Sequence, residues 1–179
     1  MLEGIREVLI SKEAIEAKTK ELAERISRDY KGKDLLVVGV LKGSVIFASE
    51  LIKNITIPCE IDFMAVSSYG SSSETTGVVR ILKDLDSEIS GKHILIVEDI
   101  VDSGVTLSYL LNYLKTRNAS SVEIASLLTK PSRRKVDIDC KYVGFETPDE
   151  FLVGYGLDYA EKYRNLPFIG ILKREVYEK

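Results

Sequence analysis

Residues 97 to 107 read VEDIVDSGVTL, which puts three acids, Glu98, Asp99 and Asp102, within five positions and follows them with Ser103, Gly104, Val105 and Thr106. An ionised carboxylate only accepts hydrogen bonds, so a neighbouring pair of them suits adjacent hydroxyls or a water-wrapped divalent cation. The small, hydroxyl-bearing turn that follows opens a helix. The first N–H groups of that helix are unpaired, and its dipole favours an anion. Gly104 lets the backbone approach a ligand closely, and Ser103 and Thr106 add hydroxyl donors. Acids that hold a diol beside a cradle that holds a phosphate match the two ends of a ribose 5-phosphate. Taken singly, a DSG turn reads better as a helix cap at Ser103 beside acids that are solvated strand-end charges. The whole run, placed directly after an apolar strand, favours the ligand.

Chemistry of this kind requires elements that deliver the loop to one place. Ser11 precedes a stretch in which Ile15, Leu22 and Ile26 recur at helical spacing, so residues 12–29 are expected to form an amphipathic helix ending near Gly32. LLVVGV (35–40) is a continuous apolar run followed by a glycine-containing turn and a helical stretch from 44 to about 54. EIDFMAVS (60–67) and VVRILKDL (78–85) have strand character, and SSYGSSSETTG lies between them without apolar period. HILIVED (93–99) is the most apolar strand and ends on the two acids. A helix from about 104 to 117 and the buried strand VEIASLL (122–128) follow. Helices thus alternate with strands whose apolar runs are continuous, which predicts an α/β fold with a mainly parallel sheet covered on both faces. Residues 140–179, with Pro148 and Pro167, are less regular and are expected to form a small subdomain. In such sheets ligands sit beyond the carboxyl ends of the strands, which directs attention to the loops 41–43, 98–106 and 129–134.

Composition limits the function classes. With 179 residues, 45% hydrophobic and 30% charged, the chain suffices for one domain that buries about 70% of its unfolded surface. Twenty-five basic residues against 28 acidic ones give a net charge of -3, so there is no overall basic field for non-specific nucleic-acid binding. Two cysteines, Cys59 and Cys140, stand far apart, and a single histidine, His93, lies inside a strand where a structural role is expected. Neither a disulfide nor a His-rich metal site follows, and a reducing cytoplasmic setting fits. No signal-type segment opens the chain, and no stretch approaches the roughly 18 apolar residues of a membrane span. No Walker A pattern and no G-x-G-x-x-G occurs.

VEDIVDSGVT closely resembles the diphosphoribose-binding motif of the type I phosphoribosyltransferases. VGVLKGS, VSSYGSS, LLTKP, VGFETPDEFLVGYGLDY and YRNLP match in order the branch of that family that uses hypoxanthine and guanine, so the resemblance covers roughly residues 5–175. It implies one phosphoribosyltransferase domain over residues 1–179, with a lid at about 67–77 and a hood contributed mainly by about 140–179. It also implies Mg²⁺ as cofactor and 5-phosphoribosyl 1-diphosphate with hypoxanthine or guanine as substrates. No nucleic-acid or membrane partner is expected, and a homodimer or homotetramer is.

Residue by residue, the resemblance has Glu98 and Asp99 hold the ribose hydroxyls directly or through Mg²⁺. The stretch Asp102, Ser103, Gly104, Val105 and Thr106 holds the 5-phosphate. Asp102 lies near N7 of the purine as general base, a reasonable place for an acid because negative charge stabilises an oxocarbenium-like transition state. Family members often carry Lys where this chain has Val105, so the cradle here relies on N–H groups. Leu41, Lys42 and Gly43 bind pyrophosphate through a cis peptide between Leu41 and Lys42, and Arg164 contacts the same group. Ser68 and Tyr69 meet pyrophosphate from the lid, whose closure excludes water. Lys130 donates to the purine 6-oxo group, Tyr142 stacks on the base and Val143 offers backbone hydrogen bonds. Asp149 binds near the purine or joins Glu98 and Asp99 at the metal. Two other readings stay open at this point: a regulator on the same fold that binds RNA or DNA through Arg133, Arg134 and Lys135, and the same reaction on xanthine.

Overall fold

The protein is described here by a computed structural model covering residues 1–68, with Ser68 by its backbone alone, and residues 79–178. After a short 3-10 turn the chain enters strand β1 (Ile5–Ile10). Helix α1 (Lys12–Asp29) follows, capped by the Ser11 side chain, which accepts the Ala14 N–H at 3.1 Å. The chain then runs β2 (Leu35–Leu41), α2 (Val45–Asn54), β3 (Glu60–Ser68), β4 (Val79–Lys83), β5 (His93–Val101), α3 (Val105–Lys115), β6 (Ser121–Thr129), β7 (Tyr142–Glu146), β8 (Leu152–Val153), β9 (Ile169–Leu172) and the short α4 (Arg174–Tyr177).

Six strands form the main sheet in the order β4-β3-β2-β5-β6-β7. All its pairings are parallel except β3 with β4, which run antiparallel at one edge. Alternation along the central strands sends their side chains into two cores. Val37, Leu95 and Val97 pack with Ile15, Leu22 and Ile26 of α1 and with Phe47 and Leu51 of α2. Val38, Ile94 and Ile96 pack on the other face with Leu107, Leu110 and Leu114 of α3. Truncating a fully buried side chain of this kind to Ala costs roughly 2–5 kcal/mol, so each face holds the central strands firmly.

Three features differ from the expectations. Strand β5 does not end at Asp99 but pairs on through Val101 with Thr129, so the two acids lie inside its last residues. The N-terminal stretch IREVLI is a strand, and it pairs antiparallel with β9 in a second sheet of order β1-β9-β8. That small sheet therefore draws on both ends of the chain. Residues 140–179 also divide, because β7 joins the main sheet beside β6. Short strands with irregular register, as in β1, carry no alternation strong enough to be read locally.

Because β2 leads by α2 to β3 on one side while β5 lies on the other, the winding reverses between β2 and β5. A crevice at the carboxyl ends of those strands is the preferred ligand position of such sheets.

Candidate active site

The loops after β2 and β5 interlock at that crevice. The Leu41–Lys42 peptide is cis, as the resemblance implied. A β-carbon added to Gly43 would overlap the Asp99 carboxylate, and one added to Gly156 would overlap the Gly43 carbonyl oxygen. Three chain segments thus approach as closely as backbone allows, and only glycine fits at the two contacts. Beneath them Glu98 is 9% exposed. Burial, and next the charge of Asp99, push its carboxyl well above the ordinary range. Burial also raises Asp99, to about 6; the Ile100 N–H, which donates to its Oδ1 at 2.7 Å, and the Arg164 charge both oppose the rise. Two acids held in this way attract a cation.

The turn after β5 is built for close approach. Gly104 sits at φ 84°, and a β-carbon there would stand 2.9 Å from Ile138 Cδ1 and 3.3 Å from the Val136 carbonyl. The N–H groups of Lys135 and Val136 donate to the Ser103 carbonyl at 2.9 and 3.3 Å and hold the turn from behind. Glu98, Asp102, Ser103, Gly104 and Thr106 line a cavity of about 130 Å³. Val105 opens α3, and its N–H donates to Ser103 Oγ at 3.3 Å.

A larger cavity of about 420 Å³ adjoins it, lined by Ile100, Asp102, Lys130, Phe151, Leu152 and Asp158 among others. Asp102 faces both cavities. Its Oδ1 is buried and has no hydrogen-bond partner among the described residues, an arrangement that costs stability unless a ligand supplies a donor. Lys130, 7% exposed at the end of β6, donates to the Glu150 carbonyl at 2.7 Å and keeps further ammonium donors for a ligand. Burial lowers its pKa, and the charge of Asp102 works against that.

On the far side of Asp99 stand the cations. Lys42 Nζ pairs with Glu161 Oε2 at 2.9 Å. Arg164 donates to the Gly156 carbonyl at 2.7 Å and lies 3.2 Å from both Asp158 Oδ1 and Glu161 Oε1. Arg164 Nε is buried without a partner among the described residues. The sequence-derived set Leu41, Lys42, Gly43, Glu98, Asp99, Asp102 to Thr106, Lys130 and Arg164 therefore falls on adjoining loops.

Three assignments need correction. Tyr142 is fully buried, and its hydroxyl donates to Asp29 Oδ2 at 2.6 Å, so its ring belongs to the core beside α1 and does not reach the large cavity. Val143, next along β7, pairs with Ser126 in the sheet and does not line that cavity either. Asp149 does line it, but its carboxylate is held by Arg133 Nε at 2.6 Å. Among the described residues no group of three or more His, Cys, Asp or Glu converges as a metal cage, so Asp149 does not complete a set with Glu98 and Asp99. Phe151, Leu152 and Asp158 stand where those residues were expected. All three belong to the run VGFETPDEFLVGYGLDY; Phe145, Phe151, Tyr155 and Tyr159 within it compete with Tyr142 just before it as candidate aromatics, and only tertiary placement separates them. Ser68 ends β3, with its side chain outside the described residues, and Tyr69 and the rest of the expected lid to residue 77 lie outside them too. His93 is structural as expected, with Nδ1 2.7 Å from Ser121 Oγ.

A mainly parallel sheet whose two central strands end in a lysine-bearing loop and an acidic, hydroxyl-bearing turn, accompanied by a small second sheet, is the type I phosphoribosyltransferase fold. Residues 8–160 match the family described as phosphoribosyl transferase domain. The chain is 54% identical over 178 residues to the hypoxanthine-guanine phosphoribosyltransferase of Bacillus subtilis (strain 168), covering 99% of each chain. It is likewise 54% identical to that of Streptococcus agalactiae serotype V, over the whole of both chains. A solved hypoxanthine phosphoribosyltransferase from Staphylococcus aureus superposes with a TM-score of 0.97 at 53% identity, over 99% of this chain and 96% of that one. The chain belongs to the phosphoribosyltransferase family and, within it, to the hypoxanthine-guanine branch.

Proposed function

We propose that this enzyme transfers the phosphoribosyl group of 5-phosphoribosyl 1-diphosphate to hypoxanthine or guanine, giving the nucleoside monophosphate and pyrophosphate. The observation that carries the assignment of roles is Asp102: one carboxylate oxygen, buried and unpaired among the described residues, at the junction of the phosphate-sized and base-sized cavities. A bond forms between N9 of the base and the anomeric carbon as the bond from that carbon to pyrophosphate oxygen breaks. The ring proton released from N7 goes to Asp102, whose charge also stabilises the oxocarbenium character of the carbon.

The other residues hold and orient. N–H groups and hydroxyls from Ser103 to Thr106 take the 5-phosphate, and Glu98 and Asp99 take the ribose hydroxyls. Lys42 and Arg164 receive the departing pyrophosphate in place of Glu161. Lys130 donates to the 6-oxo group and so discriminates against adenine, whose amino group there is itself a donor. Phe151 and Ile100 supply apolar walls for the base, and Leu152 supplies backbone groups at its edge. Mg²⁺ takes only one or two protein carboxylates and fills its shell with water and substrate phosphates, so the Glu98–Asp99 pair fits it, with Asp158 beside Asp99. When bound, it would neutralise pyrophosphate charge.

Nucleic-acid binding through the basic run 133–135 loses support. Arg133 is taken by Asp149, and Arg134 donates to Thr129 Oγ1 at 2.7 Å and to the Ile138 carbonyl at 3.3 Å. A cytoplasmic homodimer or homotetramer belongs to the same proposal and rests on the family resemblance; sedimentation at micromolar protein tests the assembly. For the described residues, no helix is long and apolar enough to cross a membrane. The deciding assay combines protein, Mg²⁺ and 5-phosphoribosyl 1-diphosphate with hypoxanthine, guanine, xanthine or adenine. Nucleotide is expected with the first two, and no nucleotide from any base would end the proposal.

A further inference from the structure

The C-terminal turn reaches the large cavity, although nothing in the pattern REVYEK suggests a role there. The Lys173 N–H donates to the Gly4 carbonyl at 2.9 Å, and the Leu172 N–H donates to the Phe151 carbonyl at 2.8 Å. A β-carbon at Gly4 would stand 2.7 Å from Tyr163 Oη and 3.6 Å from Val176 Cγ2, so the N-terminal turn packs directly beneath the C-terminal one. These ties carry α4 over the cavity, where Arg174, Tyr177 and Glu178 complete its lining. The Tyr177 ring stacks on Phe151, with centroids 4.8 Å apart and planes 27° apart, while Tyr159 meets Phe151 edge-on at 5.6 Å and 87°.

Phe151 faces a choice of rotamers unless something holds its ring. An offset stack on one side and an edge contact from another fix both the position and the tilt of an aromatic plane. We propose that Tyr177 is a positioning residue for the purine: it backs Phe151 and sets the plane against which the base lies. The role rests on the assignment of this cavity to the base made above. It gives the C-terminal turn a function in base affinity, and it predicts that the phosphoribosyl end of the site is insensitive to it. The lining supports that separation, since Tyr177 borders the large cavity alone and is absent from the phosphate cradle.

Tyr177→Ala, Tyr177→Leu and Tyr177→Phe test the idea by initial-rate kinetics with hypoxanthine and with guanine. Wild-type turnover is measured first; no product there would sink the base assignment itself rather than the role of Tyr177. Loss of one aromatic pair is expected to raise the purine KM roughly threefold to tenfold in Tyr177→Ala, with a smaller change in the KM for 5-phosphoribosyl 1-diphosphate. Tyr177→Phe restores the purine KM because the stack survives. Tyr177→Leu, which keeps apolar bulk and so protects against a collapsed hood, leaves it raised. The proposal is overturned by an unchanged or lowered purine KM in Tyr177→Ala, by equal rises in both KM values, or by a Leu variant that restores purine affinity as fully as Phe.

Discussion

Gly43 presses its backbone against the Asp99 carboxylate so closely that a single methyl group would overlap Oδ2. From the other side the Gly43 carbonyl is covered by Gly156, which sits at φ +102° and has no room for a β-carbon. The loop from Leu41 to Gly43, the acid pair and the loop carrying Arg164 are therefore set by two glycines.

Gly43→Ala is expected to leave the two cores intact and to lower kcat/KM for 5-phosphoribosyl 1-diphosphate by roughly 100-fold, the usual scale for a displacement of about 1 Å among reacting groups. Gly156→Ala should act in the same direction and add backbone strain, since its positive φ disfavours any side chain. Rates measured beside thermal melting decide the matter; wild-type rates in either variant would show that the loops can shift at no cost.

The acid pair makes the empty protein sensitive to pH. Asp99 binds its proton up to about pH 6 in the folded chain, whereas an unfolded aspartate releases it near 3.9. The folded state thus holds more protons across that interval, and stability falls as pH rises from about 4 through 6 and stays low above it. Asp99→Asn removes the effect. Its melting temperature without ligand should exceed that of wild type by more at pH 7.5 than at pH 4.5; a gap of equal size at both would show that Asp99 ionises normally.

Asp102→Asn keeps the shape of the junction and removes the charge and the proton acceptor. General-base catalysis is worth about 10²- to 10⁴-fold, so kcat should drop on that scale while the KM for 5-phosphoribosyl 1-diphosphate changes little. A loss that appears only in KM would reassign Asp102 to phosphate binding.

Lys130→Ala removes a buried ammonium that is already anchored on the Glu150 carbonyl. A hydrogen bond from a charged donor contributes about 1.5–3 kcal/mol, so the hypoxanthine KM should rise by roughly 10- to 100-fold. Binding of 5-phosphoribosyl 1-diphosphate, followed by calorimetry, should survive. An unchanged hypoxanthine KM would refute contact with the 6-oxo group.

Much of this was legible in the sequence. Periodicity marked α1 from its Ser11 cap to Asp29, and the continuous apolar runs at 35–40, 93–99 and 122–128 marked the parallel core, because burial on both faces leaves no polar alternation. Acids, hydroxyls and glycine between 98 and 106 marked the loop that lines the smaller cavity, because their chemistry is local to nine consecutive residues. Tertiary structure decided what depends on residues far apart. Tyr142 and Phe151 are both aromatic and nine positions apart, yet one turns inward to Asp29 and the other lines the cavity. Asp149 and Asp158 are both acidic, yet Arg133 takes the first while the second stands with Arg164 beside Asp99. Side-chain type states what a residue can bind. Which partner it meets is set by the packing of segments such as β1, β9 and the C-terminal turn, whose own patterns are too short to reveal where they lie.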